Sequence, residues 1–180
     1  IKGDHLPAIK GLKRLYSQTD DAQAMVQLLD LEGQVTRDPR QAIATLLEVG
    51  ALYRDKFSDP QRAVSCFFKV LERDPRESQA SNQAEILLLD MQNHEQLVAL
   101  YRQRVSVTED SRALADLHNK IGSLLQEHLG QTAEAAEAFR QVLQINPAHP
   151  QALVSLAKIS FELEQWDECI QLTRRILEIV

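Results

Sequence analysis

The stretch Val49–Pro75, VGALYRDKFSDPQRAVSCFFKVLERDP, aligns without a gap with the stretch Ile121–Pro147, IGSLLQEHLGQTAEAAEAFRQVLQINP. Glycine, alanine, phenylalanine and proline recur in the two stretches 72 residues apart, as Pro75 and Pro147 do. Self-similarity at a fixed separation is the signature of proteins built from stacked copies of one small unit. The duplication therefore indicates a repeat architecture.

A separation of 72 residues is too long for one helical hairpin, and a half-period is present. The small or aliphatic residue that opens each predicted second helix recurs at steps of 38, 34, 38 and 34, at Met25, Ala63, Leu97, Ala135 and Cys169. The longer steps belong to units with an extra residue in their turns, at Phe57-Ser58-Asp59 and Leu129-Gly130-Gln131. We predict five units, at residues 6–38, 39–75, 76–110, 111–147 and 148–180.

Each unit has the pattern of two amphipathic helices, because apolar residues recur three and four positions apart. Asp38-Pro39, Ser58-Asp59-Pro60, Asp110-Ser111 and Thr132 are predicted helix starts, where a side-chain oxygen caps the first turn. Asp74-Pro75 and Asn146-Pro147 are predicted helix ends, since the residue before proline disfavours helical angles. No segment shows the strict alternation of a half-buried strand. The sequence therefore predicts an all-α protein.

The composition excludes several other classes of protein. The chain has 180 residues, a net charge of −6 and an apolar fraction of 44%. The acidic balance disfavours nucleic-acid binding, and no run of residues has the length and apolarity of a membrane span. Because the chain starts at Ile1 rather than methionine, we expect it to be a fragment of a longer protein, folded as one domain over residues 1–180. Two unpaired cysteines suggest a reducing, cytoplasmic compartment by default.

These features resemble the tetratricopeptide repeat, a helix–turn–helix of about 34 residues with small, aromatic and proline positions at set places. Val49-Gly50, Ala63, Phe67 and Asp74-Pro75 fit that pattern, and the stretch that ends at Pro147 fits it almost as well. The resemblance implies a right-handed superhelical α-solenoid of antiparallel helix pairs. It also implies a protein partner rather than a chemical reaction.

Packing explains why small residues and aromatic residues recur. Gly50 and Gly122 in the first helices allow the second helices to approach closely, and Ala63 and Ala135 receive large side chains from neighbouring helices. We also expect Ala157 and Cys169 to act in this way, and Phe67, Phe139 and Tyr101 to fill the space between units. Cys66 and Cys169 are predicted to face the core.

No pattern of side chains predicts catalysis, a metal or a cofactor. The five histidines, His5, His94, His118, His128 and His149, form no metal-binding motif on a helix and are interpreted as ordinary polar residues. Trp166, the only tryptophan, can be interpreted as an exposed anchor for a partner, but it occupies the aromatic position at the turn into the last helix, where we expect it to pack. We predict that the chain is not an enzyme.

The first helices are expected to line the inner, concave face of the solenoid. Residues opposite the core stripe on these helices are the candidate partner-binding residues: Gln79, Asn82, Gln83, Asn119, Lys120, Ser123, Ser155 and Lys158. An asparagine side chain both donates and accepts hydrogen bonds, so Asn82 and Asn119 are suited to hold the backbone of an extended peptide. Amides on an exposed face also serve simply to contact solvent, and this interpretation stays open for each residue.

Chaperone-binding members of the family hold a C-terminal carboxylate with two lysines, two asparagines and one arginine. The matching faces here carry Leu47, Ala51, Ile86 and Val154, which disfavours that activity.

Three functions follow from the sequence. The first is a scaffold that binds a peptide or helix of another protein in the groove. The second is a spacer or self-association module that joins through its open ends, because the last helix, near Ile176-Leu177, has an apolar face with no helix after it to cover it. The third is a regulatory module of a larger multidomain protein.

Overall fold

The computed structural model describes residues 6–36 and 38–179, apart from the side chains of residues 6, 7, 34 and 35. Within these residues the chain forms ten α-helices and no β-strand, which confirms the predicted all-α class. Their bounds are α1 Leu6–Thr19, α2 Ala22–Val35, α3 Pro39–Asp55, α4 Pro60–Arg73, α5 Ser78–Asp90, α6 His94–Val105, α7 Ser111–Glu127, α8 Thr132–Ile145, α9 Pro150–Glu162 and α10 Trp166–Ile179. Each predicted unit contains one first helix and one second helix.

Side-chain caps fix most of the predicted helix starts. Asp38, Asp59 and Asp110 each accept a hydrogen bond from a backbone N–H in the first turn, at 2.7–3.0 Å. The prediction that Thr132 caps α8 is wrong, because Thr132 is already the first helical residue and Gln131 precedes it without a side-chain hydrogen bond. The helices that precede Pro75 and Pro147 end as predicted.

The turns before all five second helices share one backbone conformation. Two positions before each second helix, the backbone takes a positive φ of 50–65°, at Asp20, Ser58, Gln92, Gly130 and Glu164. This left-handed region favours glycine, yet only Gly130 is a glycine. At the other four turns no glycine marks the positive φ, although the turns recur at the spacing of the repeat.

The described chain divides into two compact units, which we call the N-terminal unit (α1–α5, to Met91) and the C-terminal unit (α6–α10, from Gln92). The division falls in the turn between α5 and α6. That the units form a single domain stays a prediction.

The core of the N-terminal unit joins residues of three successive helices. Met25, Val26 and Leu29 of α2 cluster with Val49 of α3 and Cys66 of α4. Tyr16, Leu52, Tyr53 and Phe57 pack against this cluster. A first helix is thus buried against the second helix that precedes it and the one that follows it.

Four of the predicted small-residue positions are buried, two in each unit, whereas Ala157 is only partly buried. Ala63 and Ala135 are fully buried, and Gly50 and Gly122 lie in the core, as expected. A Cβ atom added at Gly50 would lie 2.7 Å from Phe67 Cε1, and one added at Gly122 would lie 2.8 Å from Phe139 Cε1. The glycines therefore make room for the phenylalanine rings of the second helices.

The last helix departs from two predictions. Trp166 does not pack into a core: its side chain is 52% exposed and meets Phe161, itself 62% exposed, edge to face at 5.5 Å. Cys169 is only partly buried, whereas Cys66 is buried as predicted. Both departures have one physical cause, because α10 is the last described helix and Leu172 is its single buried residue among those described.

Candidate protein-binding surface

The eight candidate residues all lie on first helices. Gln79, Asn82 and Gln83 belong to α5 in the N-terminal unit; Asn119, Lys120 and Ser123 belong to α7, and Ser155 and Lys158 to α9, in the C-terminal unit. Each is exposed or partly buried, as a surface role requires.

In the N-terminal unit, one of the three candidates, Gln83 of α5, forms a hydrogen bond with α3. Arg54 of α3 forms a two-point ion pair with Asp55, at 2.6 and 2.7 Å, and its Nη1 donates a hydrogen bond to Gln83 Oε1. The hydrogen bond from Arg54 lowers the pKa of Asp55 below its ordinary value. Asn82 is exposed and lies one turn before Ile86, whose side chain is 58% exposed. This face therefore combines an oriented amide with an accessible apolar residue.

In the C-terminal unit, two candidates line one open cleft of about 420 Å³. Asn119 and Lys120 share it with Asp116 on α7, and with Arg104 and Thr108 from the end of α6 and the turn after it. Sequence reasoning missed Arg104 and Thr108, since the repeat pattern specifies core positions and not which end of a preceding helix lies beside a surface residue.

Asn119 has an unusual hydrogen-bonding state. Its Oδ1 atom is buried, yet it accepts no hydrogen bond from any residue that the structure describes. Beside it, Lys120 Nζ lies 5.0 Å from the centre of the Tyr101 ring, a cation–π distance that orients the lysine. An unsatisfied buried acceptor costs free energy, so this atom is suited to receive an N–H donor from a bound molecule.

The other candidates of this unit do not line that cleft. Ser123 and Ser155 are partly buried on their helices, and Lys158 Nζ lies 4.0 Å from Glu162 Oε1. Val154, one residue before Ser155, is 55% exposed. The structure thus brings Asn119 and Lys120 together and leaves the α9 candidates outside the cleft.

Two further cavities, of about 250 and 270 Å³, separate successive second helices of the C-terminal unit. Ion pairs line both, with Arg102 Nη2 2.6 Å from Glu134 Oε2 and Arg140 Nη2 2.8 Å from Glu168 Oε2. The hydrogen bond from Arg140, with another from Ser160, lowers the pKa of Glu168. Among the described residues, neither cavity is lined by a buried polar atom that lacks a hydrogen bond, so the cavities are weaker candidates than the cleft beside Asn119.

The histidines take several roles. His118 lines the 250 Å³ cavity, where burial lowers the pKa of its imidazole. His149 Nδ1 caps α9 by accepting a hydrogen bond from the Ala152 N–H at 3.2 Å. His94 and His128 stack with ring centres 3.9 Å apart, a contact the sequence did not reveal. His5 lies outside the described residues.

Clustered metal ligands and membrane-length apolar helices are both absent from the described residues. Its histidines, cysteines and carboxylates form no group of three or more suited to a metal ion. None of its helices has the length and apolarity needed to cross a bilayer. Burial raises the pKa of the Cys66 thiol, which disfavours the reactive thiolate.

Comparison with known proteins identifies the repeat at one end of the chain. Residues 128–180 match the model of the tetratricopeptide repeat family. A search of curated proteins gives no match to the chain.

Several solved structures share the fold along most of the chain. A crystal structure of MamA is 17% identical, covers 91% of each chain and has a TM-score of 0.52. A structure of MamA AMB-1 is 15% identical with a TM-score of 0.53, and covers 99% of this chain and 93% of that chain. A double mutant of MamA RS-1 is 18% identical with a TM-score of 0.51, and the match covers 99% of this chain and 96% of that chain. At these identities the likeness shows the fold, a helical solenoid of the tetratricopeptide type.

Proposed function

We propose that this chain, whose residues 128–180 match the tetratricopeptide repeat family, is a non-catalytic scaffold that binds a peptide or a helix of another protein along its first helices. Helical solenoids of this kind expose long faces of regularly spaced side chains, which suit extended partners. The cleft beside α7 is the best-supported contact point.

The buried, unpaired Oδ1 atom of Asn119 is the observation that supports this proposal most strongly. A backbone N–H of an extended peptide supplies the hydrogen bond that this atom lacks, and an amide side chain can also donate to a peptide carbonyl. Lys120, Arg104 and Asp116 surround it with charges of both signs. The cleft therefore suits a peptide whose backbone contacts Asn119 and whose polar side chains meet these charges.

Exposed apolar residues on the same kind of helix suggest a second type of contact. Ile86 in the N-terminal unit and Val154 in the C-terminal unit are each more than half exposed. Apolar side chains that remain accessible on a folded surface are typical of sites that bury a partner's apolar residues. We infer that the partner contributes aliphatic side chains, and that a clamp for a free C-terminal carboxylate does not operate here.

A selection from a displayed library of random peptides tests the proposal. The selected peptide is then titrated by calorimetry against the parent chain and against Asn119→Ala. Loss of one hydrogen bond is worth about 0.5–1.5 kcal/mol, so we expect the affinity to fall by roughly two- to tenfold. Lys120→Ala should weaken binding of the same peptide, more at low salt than at high salt.

Lys69→Ala on α4 is a matched control, since it removes an equally exposed lysine from a second helix. Its affinity for the peptide should equal that of the parent chain. If Asn119→Ala and Lys120→Ala bind as tightly as this control, the cleft is not the binding site.

A further inference from the structure

One surface position shows that α10 lacks a neighbour that every earlier second helix has. Counting from the shared turns, Ile170 is equivalent to Val26, Val64, Val98 and Ala136. Those four side chains are at most 5% exposed, whereas Ile170 is 51% exposed. In each of the four cases the next first helix of the same unit packs against the second helix. Ile170 therefore belongs to a face that is built to receive a first helix.

A second position on α10 gives the same result. Leu177 is equivalent to Leu71 and Leu143, which are 1% and 8% exposed, but Leu177 itself is 73% exposed. Together with Trp166, Ile170 and Leu177 form what we call the tail face of the chain. On α4 and α8, the side chains equivalent to Ile170 and Leu177 are buried, and their burial stabilises the fold.

Helix α1 also has exposed apolar residues at positions that are buried in the later first helices. Leu12 lies eight residues before the positive-φ turn residue, as Ala84 and Leu156 do before theirs. Val49 and Ile121 are the equivalent residues of α3 and α7, and they lie nine residues before theirs because those units have one extra residue in the turn. These equivalents are at most 4% exposed, whereas Leu12 is 37% exposed. Leu15, one turn later, is 50% exposed, although its equivalents Leu87 and Ile159 are buried. Leu12 and Leu15 form the head face, which is built to pack on a preceding second helix.

We propose that the tail face of one copy binds the head face of a second copy, so that α1 packs on α10 as α9 packs on α8. The two faces complement each other, because among the described helices no first helix follows α10 and no second helix precedes α1. This contact involves neither Asn119 nor its cleft, so it is independent of the peptide-binding proposal.

Charge supports the second copy as the occupant. The described part of α1 carries three basic residues and no acidic residue; Lys13 pairs with Glu32 and Glu48 inside the chain, so Lys10 and Arg14 provide the charge at this face. Around the start of α10, Glu168 pairs with Arg140 and Glu162 lies near Lys158, so Glu164 and Asp167 provide the acidic charge there. Helices joined by a short turn, such as α8 and α9, run antiparallel. The same arrangement sets the end of α1, with the exposed Arg14, beside the acidic start of α10.

The contact joins two different surfaces, so it is heterologous and builds rings or open chains rather than a symmetric pair. In an open chain each added copy leaves one head face and one tail face free, and association continues as concentration rises. A symmetric contact between two tail faces would stop at a dimer instead.

Sedimentation velocity of the 180-residue chain, from micromolar to near-millimolar concentration, is the test. We expect the mean mass to rise with concentration beyond that of a dimer, and the association to weaken as salt screens the opposed charges. A chain that stays monomeric at every concentration overturns the proposal.

Two blocked variants test the direction of the contact. Leu12→Glu blocks the head face, and the pair Ile170→Glu with Leu177→Glu blocks the tail face; each change weakens self-association by roughly tenfold or more. An equimolar mixture of the two variants retains one usable head and one usable tail, so it should form a dimer and nothing larger. If the head-blocked variant dimerises alone, the contact is symmetric and the proposal is wrong.

Leu89→Glu on α5 is the matched control, because Leu89 is 52% exposed and lies on neither face. It should associate like the parent chain. Circular dichroism establishes that each variant keeps its helical content, as expected for changes at exposed positions.

Discussion

Replacing Phe139 by alanine is expected to lower the free energy of unfolding by about 3–5 kcal/mol. Its ring is fully buried and lies against Gly122, where the backbones of α7 and α8 approach closely. The substitution would leave a cavity where the ring was, because neither the new alanine nor Gly122 has a side chain long enough to fill it. Phe67, with 1% exposure and the same relation to Gly50, should behave alike.

Urea unfolding followed by circular dichroism measures this loss. Phe161→Ala is the control, since Phe161 is 62% exposed and its truncation should cost well under about 1 kcal/mol. If Phe139→Ala and Phe161→Ala unfold at the same urea concentration, the ring does not fill the space between the helices as described.

Adding a single methyl group at Gly122 should also destabilise the protein. The new Cβ atom of Gly122→Ala would lie 2.8 Å from two atoms of the Phe139 ring, and the ring is packed on all sides. Overpacking of this kind costs about 1–3 kcal/mol, which outweighs the gain of about 1 kcal/mol that alanine brings to a helix. We expect Gly122→Ala to lower the melting temperature.

Gly33→Ala is a control that we expect to stabilise the protein rather than destabilise it. A Cβ atom at Gly33 of α2 has no neighbour within 4 Å, so only the gain in helix propensity remains, up to about 1 kcal/mol. Combining Gly122→Ala with Phe139→Leu should cost less than the sum of the two changes, because the smaller side chain leaves room for the methyl group. Equal and favourable effects of alanine at Gly33 and Gly122 would contradict the close approach.

The sequence predicted the parts of the fold that repeat. Gly50, Phe67, Gly122 and Phe139 were placed in the core because their spacing satisfies one packing rule twice. Asp38 was recognised as a cap because a carboxylate before proline has a local physical role. Such features depend on near neighbours in the chain, so a single sequence contains them.

The sequence failed where a residue's role depends on what lies beside it in space. Trp166 occupies a packing position in the repeat, but no described helix follows α10 to cover it. Asn119 was predicted as a surface amide, whereas its Oδ1 atom is buried and the residue shares a cleft with the end of α6 and the turn after it. Ser58 gave no sign of its positive φ, since the hairpin imposes that conformation rather than the residue.

The central claim is that each earlier second helix is covered by the following first helix, and that α10 alone is open among the described second helices. The rate at which an aromatic disulfide reagent modifies a cysteine at equivalent positions tests this claim. Ala136→Cys and Ile170→Cys are compared in dilute solution, each in a chain whose own Cys66 and Cys169 are alanine. We predict that the thiol at position 170 reacts like a free thiol. The thiol at position 136 should react at least roughly a hundredfold more slowly than the thiol at position 170, because it becomes accessible only through local unfolding. Equal rates at the two positions would contradict the account.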